Sequence, residues 1–250
     1  RNLPVSTARM RRFAAALCVL SLAFVAAPLA TSAPAGAAPV CAAAPGNARY
    51  VRWIYLQILV RCPEASAASY WTAQMNDGLS RFGLAEAIDM SNENLVQNNV
   101  VGLYQDLLGR APTSAELAKW VAEIRANHED GSLIATLVSS DAFYAGVPGA
   151  TPADKDEAWL AIAYNGIVDR DPDAAGAAFF GARLHTPSTA ATRFGVAHLL
   201  ERSHENATGW TGAVYFAALN RPPDAAGFEY WVNWLTGPGR WHTFLLWTHF

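Results

Sequence analysis

Asp169-Arg170-Asp171-Pro172-Asp173 sets carboxylates at alternate positions, the arrangement that opens a calcium loop. An EF-hand needs glycine at its sixth position and glutamate at its twelfth, and those places hold Ala174 and Phe180. The six histidines, among them His198, His204, His242 and His249, show no metal-ligand spacing. There is no G-x-S-x-G elbow, no glycine-rich phosphate loop and no catalytic Cys/His pairing. Cys62 is followed by proline and has Cys41 as a simpler partner than any substrate. The residues therefore point to no enzyme, no cofactor and no metal, and their positions have to be read from the elements that carry them.

Four arginines give the frame: Arg61, Arg110, Arg170 and Arg221. Six residues before each stands a tyrosine (Tyr55, Tyr104, Tyr164, Tyr215), and two after each stands a proline (Pro63, Pro112, Pro172, Pro223). Three after comes Glu64, Thr113, Asp173 or Asp224, and ten after comes a large aromatic: Trp71, Trp120, Phe180, Trp231. Fourteen after comes Met75, Ile124, Leu184 or Leu235. This register predicts tandem units of about fifty residues.

Apolar residues before each arginine fall at steps of three and four, as Leu103, Tyr104, Leu107 and Leu108 do, which predicts an amphipathic first helix. The arginine at its end suits the helix dipole and can bond the free carbonyls. Proline stops that helix, and the following Asp or Thr is placed to cap a second one. Thr113 with Glu116 reads as a capping box. Gly176 and Gly227 fall in the first turn of the second helix, where a missing side chain permits close contact. Third helices are expected near Phe82 to Asp89, Ser132 to Val138 and Phe194 to Leu200. Each ends in a serine-acid group (Ser91-Asn92-Glu93, Ser140-Asp141, Ser203-His204-Glu205) suited to capping the next unit.

The fold expected is all-α: helical repeats of roughly three helices each, packed as one elongated domain. The units are drawn at residues 47–98, 99–150, 151–208 and 209–250. The last stops at Phe250 where its closing motif is due, so it lacks a cap or has been cut short.

The string "YQDLLGRAPTSAELAKWVAEI" resembles the repeat of domain-of-unknown-function family 4214, roughly Tyr-x5-Gly-Arg-x-Pro-Asp-x2-Gly-x3-Trp. "YFAALNRPPDAAGFEYWVNWL" resembles it equally, with Asn220 in place of the glycine. "YNGIVDRDPDAAGAAFFGARL" departs at Asp169 and Phe180, and "YLQILVRCPEASAASYWTAQM" at Val60, Cys62 and Ala67. The resemblance implies a helical unit similar to the linker domains of phycobilisomes. It implies no reaction.

Ahead of the units, Arg11 and Arg12 follow Met10, an apolar run spans Phe13 to Ala27, and Ala35-Gly36-Ala37 follows. That is the pattern of a secretory signal peptide over residues 1–37, with Met10 as the biological start and a linker at 38–46. The run is too short for a stable membrane span. Residues 1–37 hold four arginines and no acid, so a net charge of −3 becomes −7 on their removal. An acidic surface argues against nucleic acid as a partner. In an oxidising compartment Cys41 and Cys62 either form a disulfide, worth roughly 3 kcal/mol by loop closure, or remain free thiols.

Trp53, Trp210, Trp234, Trp241 and Trp247 lie outside the repeated register, and Trp210, Trp234, Trp241 and Trp247 stand as candidate recognition aromatics. The function expected is that of a secreted or cell-surface interaction or scaffold protein, with a protein or an envelope polysaccharide as ligand. An envelope carbohydrate-binding module is the alternative reading.

Overall fold

The computed structural model describes residues 41–127, 131–219 and 221–237. Residues 1–37, where a signal peptide is expected, Trp241, Trp247 and the end of the expected fourth unit lie outside them. Twelve α-helices and one π-helical stretch make up the regular structure of the described residues, with no strand among them, so the protein is all-α. No helix there is long and apolar enough to cross a membrane.

At the place expected for the first unit stand α1 (Gly46–Ile58), α2 (Ala65–Asn76) and α3 (Arg81–Asp89), and the unit names below keep the expected order as labels. The second opens with a π-helical stretch, Asn94–Val101, running into α4 (Gly102–Leu108), followed by α5 (Ser114–Asn127) and α6 (Gly131–Ser139). A short α7 (Asp141–Ala145) precedes α8 (Pro152–Val168), α9 (Ala174–Leu184) and α10 (Ala190–Glu201). Then come α11 (His204–Leu219) and α12 (Ala225–Thr236). The π-helical stretch runs across residues 98/99 and α11 across residues 208/209.

The first helices form for the reason their spacing gives. Val51, Ile54, Tyr55 and Ile58 of α1 are buried at steps of three and four, as are Leu160, Ala163, Tyr164 and Ile167 of α8. Each of these helices stops on a residue in the left-handed conformation: Val60, Gly109 and Asp169 all have φ near +60°. That is the geometry of a helix C-terminal cap, for which glycine is best suited and asparagine or aspartate acceptable. The glycine of the repeat pattern is thus a backbone requirement, and Val60 meets it under strain.

The core is in two parts. One cluster joins the second and third units, with Leu103, Trp120, Leu133 and Phe143 packed against Trp159, Leu184 and Leu200. Within it α6 lies along α10. The other joins the first unit to the last: Val51, Ile54, Leu84 and Ile88 share a cluster with Ala207, Val214, Val232 and Leu235. This second cluster joins residues far apart in the chain. Helical repeats stack neighbour on neighbour only when each pair presents equivalent faces, and here the two terminal units also bury apolar surface against each other.

Candidate functional site

The arginine of each unit sits in the same surroundings. Its guanidinium lies over the ring of the tyrosine six residues earlier, 5.3 Å from the centroid for Arg61 over Tyr55 and 5.0 Å for Arg110 over Tyr104. The distances are 5.2 Å for Arg170 over Tyr164 and 5.4 Å for Arg221 over Tyr215. Each donates to the carbonyl of the residue after it: Cys62 (3.0 Å), Ala111 (3.1 Å), Asp171 (2.9 Å) and Pro222 (3.2 Å). The carbonyl reached belongs to the linker and not to the helix end, because the left-handed residue has already turned the chain away.

An acid completes each node. Arg61 pairs with Glu64 (2.8 Å) and, through two nitrogens, with Glu93 of the next unit (2.7 Å from Nη2). Arg170 does the same with Glu205 (2.9 Å from Nη2) and lies 3.5 Å from Asp173. Arg110 turns to Glu116 of its own unit (2.8 and 2.9 Å), and Arg221 lies 3.7 Å from Asp224. Forked pairs of this kind orient both groups, and they occupy the cations that an anionic ligand would need.

The prolines lie in the linkers, after the left-handed residues have already ended the first helices. Asp173 and Asp224 accept from the backbone N–H of Gly176 (2.7 Å) and Gly227 (2.9 Å). Thr113 and Glu116 exchange the reciprocal bonds of a capping box (3.3 and 2.7 Å). Glu64 makes no such cap bond and gives its carboxylate to Arg61. Arg110, and then the Thr113 N–H, hold the Glu116 carboxyl down to about 2. Burial pushes the Tyr55, Tyr104 and Tyr164 phenols above their ordinary value.

Two kinds of contact join the repeated tyrosine to the second helix. In the first two units Trp71 and Trp120 donate Nε1–H to the hydroxyls of Tyr55 and Tyr104, each at 3.1 Å. In the other two the hydroxyls of Tyr164 and Tyr215 rest on Gly176 and Gly227, where an added Cβ would stand 2.4 Å from the oxygen. The signature tyrosines, Trp120 and the aliphatics four residues after the aromatics are core, and Trp71, Phe180 and Trp231 pack against it half-buried.

Of the candidate recognition tryptophans, Trp210 and Trp234 fall among the described residues. Trp53, Trp210 and Trp234 are partly buried against the cluster shared by the first and last units, and Trp234 stacks edge-on to Trp231 at 6.0 Å. Trp159, also outside the register, is fully buried and donates to the Val138 carbonyl at 2.7 Å.

The exposed aromatics are others. Tyr70, Phe179 and Tyr230 are 56%, 49% and 60% exposed, and each stands nine residues after its arginine. Each meets the adjacent signature aromatic edge-on, with centroids 4.9, 4.8 and 4.9 Å apart. In the second unit Lys119 takes this place, its ammonium 4.4 Å from the Trp120 centroid. The signal was available in the sequence: a second aromatic directly before the first cannot share its buried stripe.

Cys41 and Cys62 are disulfide-bonded, with Cα atoms 5.6 Å apart, and the bridge encloses α1. Among the described residues no three of His, Cys, Asp and Glu are grouped so as to hold a metal ion. The fold class is thus a helical, disulfide-bonded domain. The family model for a domain of unknown function, DUF4214, matches residues 38–98, so the chain carries a domain of that family at its first unit. No curated protein and no solved structure matches the chain.

Proposed function

We propose that this is an exported, non-catalytic interaction protein, built from four copies of one helical unit, which binds through aromatic side chains on its second helices. The observation that carries the reading is the set Tyr70, Phe179 and Tyr230, large apolar groups left in solvent at one position of the unit. Exposed aromatics give much contact area at small entropic cost and dominate many binding surfaces. Recurrence of the Tyr-Arg-cap node in all four places supports the repeat, and the disulfide is in keeping with an oxidising destination. A protein partner on the cell surface is the first reading. An envelope polysaccharide is the second, favoured by the phenolic hydroxyls that Tyr70 and Tyr230 carry beside their rings.

One experiment separates them. Purified residues 38–250 are sedimented with cell-wall sacculi before and after trypsin treatment of the wall, alongside the triple variant Tyr70→Ala, Phe179→Ala, Tyr230→Ala. Pelleting that is lost on trypsin treatment and in the variant is the result expected for a protein partner, whereas trypsin-resistant pelleting means polysaccharide. Exposed substitutions of this kind leave stability within roughly 0.5 kcal/mol per site, so equal pelleting by the folded variant would remove these residues from the proposal.

A further inference from the structure

Asp89-Met90-Ser91-Asn92-Glu93-Asn94 and Glu201-Arg202-Ser203-His204-Glu205-Asn206 are two copies of one device. In each the serine caps the following helix (Asn94 N–H to Ser91 at 3.2 Å, Asn206 N–H to Ser203 at 3.0 Å). In each the asparagine carboxamide reaches back to the carbonyl of the opening acid, at 3.0 Å for Asp89 and 2.6 Å for Glu201. In each the glutamate takes the arginine of the preceding unit. The same alignment at the centre reads Val138-Ser139-Ser140-Asp141-Ala142-Phe143 and keeps only the capping serine. The first unit is thus joined to the second as the third is to the fourth, and the second-to-third joint is of another kind.

The two cores fall on this pattern. One joins the second unit to the third, the other the fourth to the first. In chain order, exchanging the first pair of units with the second pair interchanges these two joints. We infer that the chain is two head-to-tail blocks of two units closed into a ring, and that the joint between fourth and first units is exchangeable, filled either within one chain or by a second copy.

The two joints differ in how the chain supports them. Across the second-to-third joint the backbone is continuous through α7 and the loop to Thr151, and Arg193 of α10 reaches back to Ser139 and Asp141. The fourth-to-first joint brings together α1 and α3 with α11 and α12, which no short connection links. A head-to-tail contact of this sort closes where its rotation allows and otherwise passes to a neighbouring molecule. The first unit of another copy offers identical side chains, and the disulfide ties Cys41 of the preceding linker to Cys62 of that same unit, so exchange breaks no covalent bond. This inference is independent of the ligand.

The test is refolding of residues 38–250 from guanidinium under non-reducing conditions, over roughly a hundredfold range of concentration, with mass read by light scattering. The expected result is a species of twice the monomer mass that falls with dilution of the refolding mixture, by up to roughly tenfold for each tenfold dilution. Once formed it persists when diluted, and donor- and acceptor-labelled chains refolded together show energy transfer in it. Monomer alone at every concentration, or a dimer that dissociates immediately on dilution of native protein, overturns the exchange. A circular permutant with a flexible linker joining the fourth unit to the first, and new ends between Ala145 and Thr151, is expected to keep the helix content of the parent. Failure of that permutant to fold overturns the ring.

Discussion

The outer junctions and the central junction solve the same problem with different chemistry. At Asp89–Asn94 and Glu201–Asn206 an asparagine enters the interior and satisfies a backbone carbonyl left free at the end of a helix. At the centre the equivalent place holds Phe143, 3% exposed, and the carbonyls are met from a distance: Val138 by Trp159 Nε1–H and Ser139 by Arg193 Nε–H at 3.0 Å. Arg193, 1% exposed, also donates to Ser188 (2.9 Å to its hydroxyl) and Asp141 (2.6 Å), and it lies 4.0 Å from the Tyr144 centroid. Asp156 accepts from Tyr144 (2.8 Å) and from the Ser188 N–H (3.1 Å) and hydroxyl. Burial by itself would raise the Asp156 carboxyl, and these hydrogen bonds from Ser188, Tyr144 and Thr186 outweigh it and hold the carboxyl below its ordinary value. A local polar motif can be copied from unit to unit. The central joint needs partners from three helices and exists once among the described residues.

The largest effect should therefore come from the centre. Phe143→Ala removes a buried ring from the joint of two units and should cost about 3–5 kcal/mol. Asn206→Ala, at the corresponding outer position, leaves the Glu201 carbonyl without that donor and should cost about 1–3 kcal/mol. Guanidinium unfolding of the two variants measures both. Equal costs would mean that the outer junctions are as integral to the packed core as the central one, and the contrast would fail.

The order tyrosine, arginine, proline, cap and aromatic was legible because each residue acts within a turn or two of its own position, where helix periodicity and capping chemistry govern. The third helices were legible for the same reason: Ser80 and Thr189 cap α3 and α10 close to the places expected. What lay beyond reach was whatever depends on distant partners. Glu93 and Glu205 meet arginines 32 and 35 residues away, and the pairing of the first unit with the fourth has no local trace. Trp210 and Trp234 read as surplus from the repeat alone because the face they cover is supplied by the first unit. Tyr70, Phe179 and Tyr230, by contrast, are within reach of periodicity, because each directly precedes an aromatic on the packed stripe.

A smaller effect should separate the first unit from the second. Val60 and Gly109 hold the same left-handed place, with φ of +54° and +63°, and nothing crowds a Cβ at Gly109. A β-branched side chain pays about 1–2 kcal/mol in that conformation, partly offset by the entropy that glycine adds to the unfolded chain. Val60→Gly should therefore raise stability by about 0.5–1 kcal/mol, and Gly109→Val should lower it by about 1–2 kcal/mol. Thermal unfolding reads both signs. A destabilised Val60→Gly variant would show that the half-exposed valine contributes more by packing than it loses in strain.

The smallest effect concerns the one arginine that the central junction leaves without an acid from the next unit. Where Glu93 and Glu205 stand in the outer junctions the centre has Ala142, and Arg110 pairs instead with Glu116, whose carboxyl is held near 2 against an ordinary 4.5. A carboxyl with a depressed folded-state value contributes its stability above the unfolded value and loses it as pH falls toward the folded one. The contribution is thus complete above about pH 4.5 and fades between there and about pH 2. Because the pair is part-exposed and screened by solvent, its contribution is small. Glu116→Gln should accordingly lower the melting temperature slightly at pH 7 and flatten its fall between pH 4.5 and 2. Glu123→Gln, a control on the same helix outside this pair, should leave that slope as it is. If Glu116→Gln kept the full acid slope, the pairing with Arg110 would be a contact without consequence, and the missing glutamate at Ala142 would have no replacement.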